Sequence, residues 1–272
     1  MTAGSRQVSA TFWLLDAPDS LETQGRRNRD GTGLGFFTTS GRPIVDKQPE
    51  PAYSDVEFIR DARIEASTTF VAHVRIATNS RLSVENTHPF AMDGRIMAHN
   101  GGFEELAALE AELGDDMERV RGDTDSERYF ALITKRIAEH DGDVAAGVTA
   151  AVRWLAEHVP LYSLNMVLVT ENDLWALRYP EHHRLYVLRR PVIDRHGRMY
   201  RAASPTMRLT ASEIGLGATV VVASEPLDEH SDWRLMESGE LMHVGPDLAV
   251  DSQFVIAGPP KRSSIDPLPY VP

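Results

Sequence analysis

Cysteine is absent from all 272 residues. That absence excludes a disulfide framework and any thiolate metal site, and it leaves the redox compartment unreadable. Positive charge is also scarce: 28 Lys and Arg stand against 40 Asp and Glu, a net charge of −12. Affinity for phosphate backbones and anionic lipid comes mainly from Lys and Arg, so neither a nucleic acid nor a membrane is expected as a partner. The acidity reads as a device for solubility. No apolar run reaches the ~20 residues of a membrane span. The first residues, "MTAGSRQVSATFWLL", lack the basic start and apolar stretch of a signal peptide. The cytoplasm is therefore the expected compartment. The glycine-rich run "DGTGLG" (30–35) leads into a strand and not a helix, which excludes a dinucleotide or P-loop site.

What is present suits a globular domain: 42% of the residues are hydrophobic. Residues 9–27 read as helix-like, with Asp19 or Ser20 as the cap of a second helical segment. A strand is expected at 34–38, a helix at 56–66, a buried strand in "TTFVAHVRIAT" and a second in "GRIMAHNG" that ends at a turn. "FEELAALEAELG" is an amphipathic helix stopped by Gly114. "TDSERYFALITKRIAEH" opens on a Thr124–Glu127 capping pattern, and "DVAAGVTAAVRWLAEHV" is a further helix. After Pro160 the chain turns to strands: "LNMVLVT", "LWALRY" and "LYVLRR" read as a meander, continued by "ATVVVAS" and "ELMHV". Residues 191–216 are a long polar connection, and the Pro-rich end lies extended on the surface or is disordered. Strands, then helices, then strands give an α+β layered fold in one domain.

The polar residues carry the chemistry. Arg75 interrupts an apolar strand, where a guanidinium needs a partner: either an internal salt bridge or a ligand carboxylate gripped at two points. His73, His88 and His99 have no metal-binding spacing, so each reads as a hydrogen-bonded structural residue and no metal is expected. Asn100 and Gly101 in "HNGG" are either an ordinary turn or a pair of donors for a developing oxyanion. Asp125, in the first turn of a helix, either offsets the helix dipole or binds an ammonium group. Together, Arg75 for an α-carboxylate, Asp125 for an α-ammonium and Asn100 with Gly101 for an oxyanion equip a site to attack the side-chain carbonyl of a free amino acid.

With those pieces in the order "HVRIAT", "NTHPF", "HNG" and "TDSE", the sequence resembles the class II glutamine amidotransferases, whose nucleophile is an N-terminal cysteine. "VVVASEPL" and "WRLMESGEL" are similar to stand-alone members, so the resemblance covers most of the chain. It implies a four-layer α/β/β/α sandwich of two facing antiparallel sheets. It also implies hydrolysis of glutamine or a γ-glutamyl amide through a γ-glutamyl thioester, without a cofactor. By motif, Arg75 would bind the glutamine carboxylate and Asp125 its amino group. Asn100 and Gly101 would form the oxyanion hole, and Thr78 and His88 would line the pocket. Gly102 departs from the pattern, since larger residues are common after "HNG". The partners implied are a γ-glutamyl small molecule and, for an amidotransferase, a separate acceptor or synthetase protein.

The departure at the nucleophile is decisive. In the family the cysteine opens a short strand of the type Cys-Arg-Leu-Phe-Gly that ends before a small-residue turn, and "TAGSRQ" looks like that turn. Residues 1–258 are then expected to form a single domain lacking its first strand, with 259–272 as a tail. Three explanations compete: a chain that begins too late, a true loss that leaves a binding protein, or replacement by Thr2. Thr2 is disfavoured because Ala-Gly-Ser does not look like a strand that could hold it beside Asn100.

Overall fold

The computed structural model describes residues 2–77, 80–190, 200–203, 208–211, 218–229 and 232–264. Two large antiparallel sheets dominate it. The first runs β13 (Arg234–Leu235), β9 (Tyr186–Arg190), β12 (Thr219–Ala223), β1 (Thr2–Val8), β4 (Ser67–Val74), β2 (Thr32–Phe37), β3 (Pro43–Gln48). The second runs β15 (Val250–Phe254), β14 (Glu240–Val244), β8 (Leu174–Arg178), β7 (Leu161–Val169), β6 (Arg95–Phe103), β5 (Phe90–Met92). Strand alternation sends one set of side chains between the sheets, where Val71, Ile96, Val167, Val187, Val220 and Met242 pack together.

The outer faces bury helices. Phe130, Ile133 and Ile137 of α4 (Asp125–Glu139) and Val148, Val152 and Leu155 of α5 (Val144–His158) pack with Met97, Leu164 and Leu168 of the second sheet. α3 (Leu106–Leu113) adds Leu109 and Leu113 to the same core. On the other side, Phe58 and Ala62 of α2 (Val56–Ile64) pack with Leu34, Phe36 and Phe70. The result is the four-layer α/β/β/α sandwich.

The structure corrects several readings. "TAGSRQ", expected to be a turn, lies within β1 at the centre of the first sheet. Thr2 is opposite Phe70 of β4 and Val221 of β12. Pairing on both sides overrides the weak strand preference of Ala-Gly-Ser. Residues 9–27 do hold two helical segments, the second capped as expected: Pro18 separates a single π-helical turn (Phe12–Asp16) from the short α1 (Leu21–Gln24). Ser20 caps α1, its Oγ accepting from the Thr23 N–H at 3.3 Å. β9 does not extend a meander but crosses to the other sheet, where it pairs with β12 and β13. The Arg178 guanidinium fixes that crossover by donating to the carbonyls of Glu181, His183 and Met236. Within 191–216, β10 (Tyr200–Ala203) and β11 (Arg208–Ala211) pair antiparallel, and the other readings there fall outside the described residues. The tail is fastened as far as Ser264: Leu161 N–H donates to Arg262 O, and Ser264 N–H to Leu161 O.

Candidate functional site

"HNGG" is not a turn. Asn100, Gly101 and Gly102 continue β6, opposite Asn165, Leu164 and Ser163 of β7. The tight fit explains the glycine: a Cβ on Gly101 would stand 2.0 Å from the Ser163 carbonyl oxygen. Alternation points His99 outward to α4 and Asn100 into the space between the sheets. His99 Nε2 donates to Ser163 O at 3.0 Å and Nδ1 lies 2.9 Å from Ser126 Oγ. Asn100 is exposed, and its carboxamide makes no hydrogen bond among the described residues. A Cβ on Gly102 would meet only Asp125 Oδ2, at an ordinary 3.5 Å, so the room for a larger residue is present.

Arg75 follows β4 and is only 5% exposed. The ladder with β2 continues past the strand: Arg75 N–H donates to Gly31 O at 2.8 Å, and Asp30 N–H to Arg75 O at 2.9 Å. The guanidinium reaches Ser80 Oγ and the Asp30 carbonyl. No carboxylate forms an ion pair with it among the described residues, so the internal salt bridge is not found. Burial lowers its pKa, while the charges of Asp30 and Asp125 act in the opposite direction. Asp30, not singled out in the sequence, accepts from the Ala77 N–H at 2.8 Å and so holds the chain just beyond Arg75. Its signal was the start of the same "DGTGLG" run.

Asp125 opens α4. Its Oδ1 accepts from the Ser126 N–H at 2.8 Å and its Oδ2 from the Phe103 N–H at 3.3 Å, which ties it to the end of β6. Thr124 caps the helix as expected, accepting from Glu127 N–H at 3.2 Å. Glu127, however, turns to the N–H groups of Arg121 and Gly122 and so rigidifies the turn ahead of Asp125. Thr78 lies outside the described residues.

His88 is 5% exposed and follows the same inner layer. Its ring lies 4.4 Å from that of His73 and 4.7 Å from that of Phe90. Neither ring nitrogen of His88 has a hydrogen-bond partner among the described residues. Burial pushes the His73 pKa down to about 4 and holds that of His88 well below the ordinary imidazole value, with neighbouring His and Arg75 charges adding to the effect. Burial also lowers His99, opposed by the Asp125 charge. The described residues contain no group of three or more His, Cys, Asp or Glu arranged to hold a metal.

This cluster has a thermodynamic consequence. A folded-state pKa below the unfolded 6.5 leaves the native ring neutral while the unfolded ring takes a proton. Stability is therefore whole above about pH 6.5 and falls as pH drops toward 4, by up to about 1.4 kcal/mol per pH unit for each ring. Asp46, raised to about 6 by burial and by its bond to Asp61, has the opposite sign below pH 6. The clean readout is thus a difference between variants. Urea midpoints at pH 7.5 and 5.0 should differ less in His88→Gln than in the unmodified chain. Equal pH dependence in both would show that His88 is not held neutral.

The geometry also tests Thr2. β1 pairs with β4 no further than Phe70 among the described residues, while β2 pairs with it out to Val74. Arg75 lies five residues beyond Phe70, about 17 Å at roughly 3.4 Å per residue. Thr2 does begin a strand, contrary to the sequence reading, but that strand keeps it far from Arg75.

The family model for class II glutamine amidotransferases matches residues 18–254. The γ-glutamyl-hercynylcysteine sulfoxide hydrolase of Mycobacterium tuberculosis is 28% identical over 248 residues, 88% of either chain. A glutamine aminotransferase class-II domain protein from Silicibacter pomeroyi superposes with a TM-score of 0.57 at 21% identity, covering 84% of this chain and 92% of that one. Glutamine phosphoribosylpyrophosphate amidotransferase from Bacillus subtilis gives 0.64 at 15% identity, covering 95% of this chain and 49% of that one. The two solved structures are alike in fold.

Proposed function

Since the chain belongs to the class II glutamine amidotransferases, we propose that it binds glutamine or a γ-glutamyl amide between the inner ends of β4 and β6. Arg75 takes the α-carboxylate, Asp125 the α-ammonium, and the Asn100 carboxamide with the Gly101 N–H the carbonyl oxygen. Thr78 and His88 line the pocket. The observation that carries this reading is Arg75: a buried guanidinium just past β4, with no carboxylate ion-paired to it among the described residues. Such a group is costly until an anion meets it.

Hydrolysis by this site runs through a thiol. The thiolate attacks the amide carbon, Asn100 and Gly101 stabilise the oxyanion, and the C–N bond breaks as the amine leaves with a proton. Water then cleaves the thioester to the free acid. The sequence contains no cysteine, and a nucleophile level with Arg75 would stand on the line of β1, about five residues ahead of Thr2. The first reading is an amidohydrolase whose thiol is supplied there; the second is a cytoplasmic binding protein for the same ligand, favoured by the distance of Thr2.

Calorimetric titration with glutamine tests both. This chain should bind glutamine and release no ammonia. A version preceded by Cys-Arg-Leu-Phe-Gly should bind and release it, which the binding-only reading excludes. A flat titration of both proteins would overturn the site assignment.

A further inference from the structure

The residues assigned to the amino-acid end lie just past β4 and at the start of α4. On the other side of Asn100 and Gly101 stands β7, and there the ladder is irregular. Gly102 faces Ser163 but Phe103 faces Leu161, so Tyr162 is squeezed out of the register beside the site. The Tyr162 ring stacks on His182, with centroids 5.1 Å apart and planes 16° from parallel. His183 meets the same ring edge-on at 4.9 Å.

These histidines ride on the 179–185 crossover, which spans the gap between the sheets at the end where Arg75 and Asn100 lie. The crossover is rigidly held. Asn165, directly opposite Asn100, accepts from the Tyr179 N–H at 2.9 Å and donates from Nδ2 to Arg184 O at 3.3 Å. Arg178 donates to two further carbonyls of the same segment. One N–H and three carbonyls of the segment are thus held from inside, and His182 is left exposed on the outer end of the ring stack.

We propose that Tyr162 and His182 form a subsite for the leaving group, selecting γ-glutamyl amides whose amine bears a planar aromatic or heteroaromatic ring. This inference rests on the amino-acid site described above. A γ-glutamyl carbonyl held at Asn100 and Gly101, with its amino-acid end toward Asp125, directs the amide nitrogen toward β7. A planar ring there extends the existing stack over the free face of His182, and offset stacking is the preferred arrangement of such rings. Because the platform is fixed before the ligand arrives, little ordering entropy opposes the contact.

The test is a set of titrations of the full chain with L-glutamine, L-γ-glutamyl anilide and L-γ-glutamyl cyclohexylamide. The anilide should bind about tenfold more tightly than glutamine, and the cyclohexylamide, similar in size but not planar, should gain much less. His182→Ala should erase the anilide's advantage while leaving glutamine binding unchanged; His182→Phe should keep it. Equal binding of glutamine and anilide to the unmodified chain would overturn the subsite and leave the amino-acid site standing. So would an advantage that survives His182→Ala, or one shared equally by the cyclohexylamide. Loss of all three titrations, glutamine included, would instead overturn the site on which the subsite depends.

Discussion

Arg75→Ala is expected to weaken glutamine binding by about thirtyfold or more while leaving the fold intact. The guanidinium is buried, so its contact with an α-carboxylate is made away from water, where a two-point, charge-assisted hydrogen bond is strong. Truncating one partner of such a desolvated pair costs about 2–5 kcal/mol. The free protein does not depend on the charge to the same degree, because among the described residues no carboxylate is paired with it and it donates to Ser80 Oγ and the Asp30 carbonyl. Arg75→Lys should recover little, since an ammonium lacks the planar fork. Asp125→Asn should weaken binding less than Arg75→Ala, because the carboxamide oxygen still accepts from one of the two N–H groups, Phe103 or Ser126, that hold the side chain in place. Calorimetry reads all three; unchanged affinity in Arg75→Ala would remove the assignment.

Gly33→Ala is expected to destabilise the chain by about 3 kcal/mol or more, the upper end of what overpacking usually costs. A Cβ at Gly33 would stand 2.2 Å from the His88 carbonyl oxygen, and one at Gly35 2.8 Å from the Ile96 side chain. The His88 carbonyl is backbone, held beside Lys47, whose Nζ donates to the Thr87 carbonyl at 2.6 Å, so it cannot swing aside as a side-chain tip would. The alternating glycines of β2 are therefore a trough into which His88–Pro89 is pressed. Gly102→Ala, where only an ordinary contact awaits, should cost well under half as much. Urea denaturation of the two variants checks the contrast; equal losses would mean the trough gives way easily.

That trough shows what the sequence could and could not convey. "DGTGLG" was correctly excluded as a phosphate loop, because a strand follows it, but its positive purpose depends on residues 55 further along the chain. Arg75, Asn100, Gly101, Asp125 and His88 stand out in the sequence as candidates because residue type and order carry chemistry by themselves. The state of "HNGG" was not legible: Asn-Gly is a turn signal until β7 pairs across it, and that pairing is a long-range fact. β3 and β15 escaped notice for a similar reason. "PIVDKQ" and "VDSQF" are partly exposed edge strands with no clean apolar alternation, and only their neighbours make them strands. The sheet change of β9 is decided by the three carbonyls that Arg178 collects, which no periodicity encodes.

The position of β1 also has a consequence for how the chain is made. β1 is synthesised before both of the strands that flank it, which come from residues near 70 and near 221. At roughly 5–20 residues per second, on the order of ten seconds separate the emergence of the first neighbour from that of the second. Throughout that interval β1 has one edge open, and the half-built sheet is a template for any passing strand. The first sheet is therefore closed on its second side only once β12 has been made.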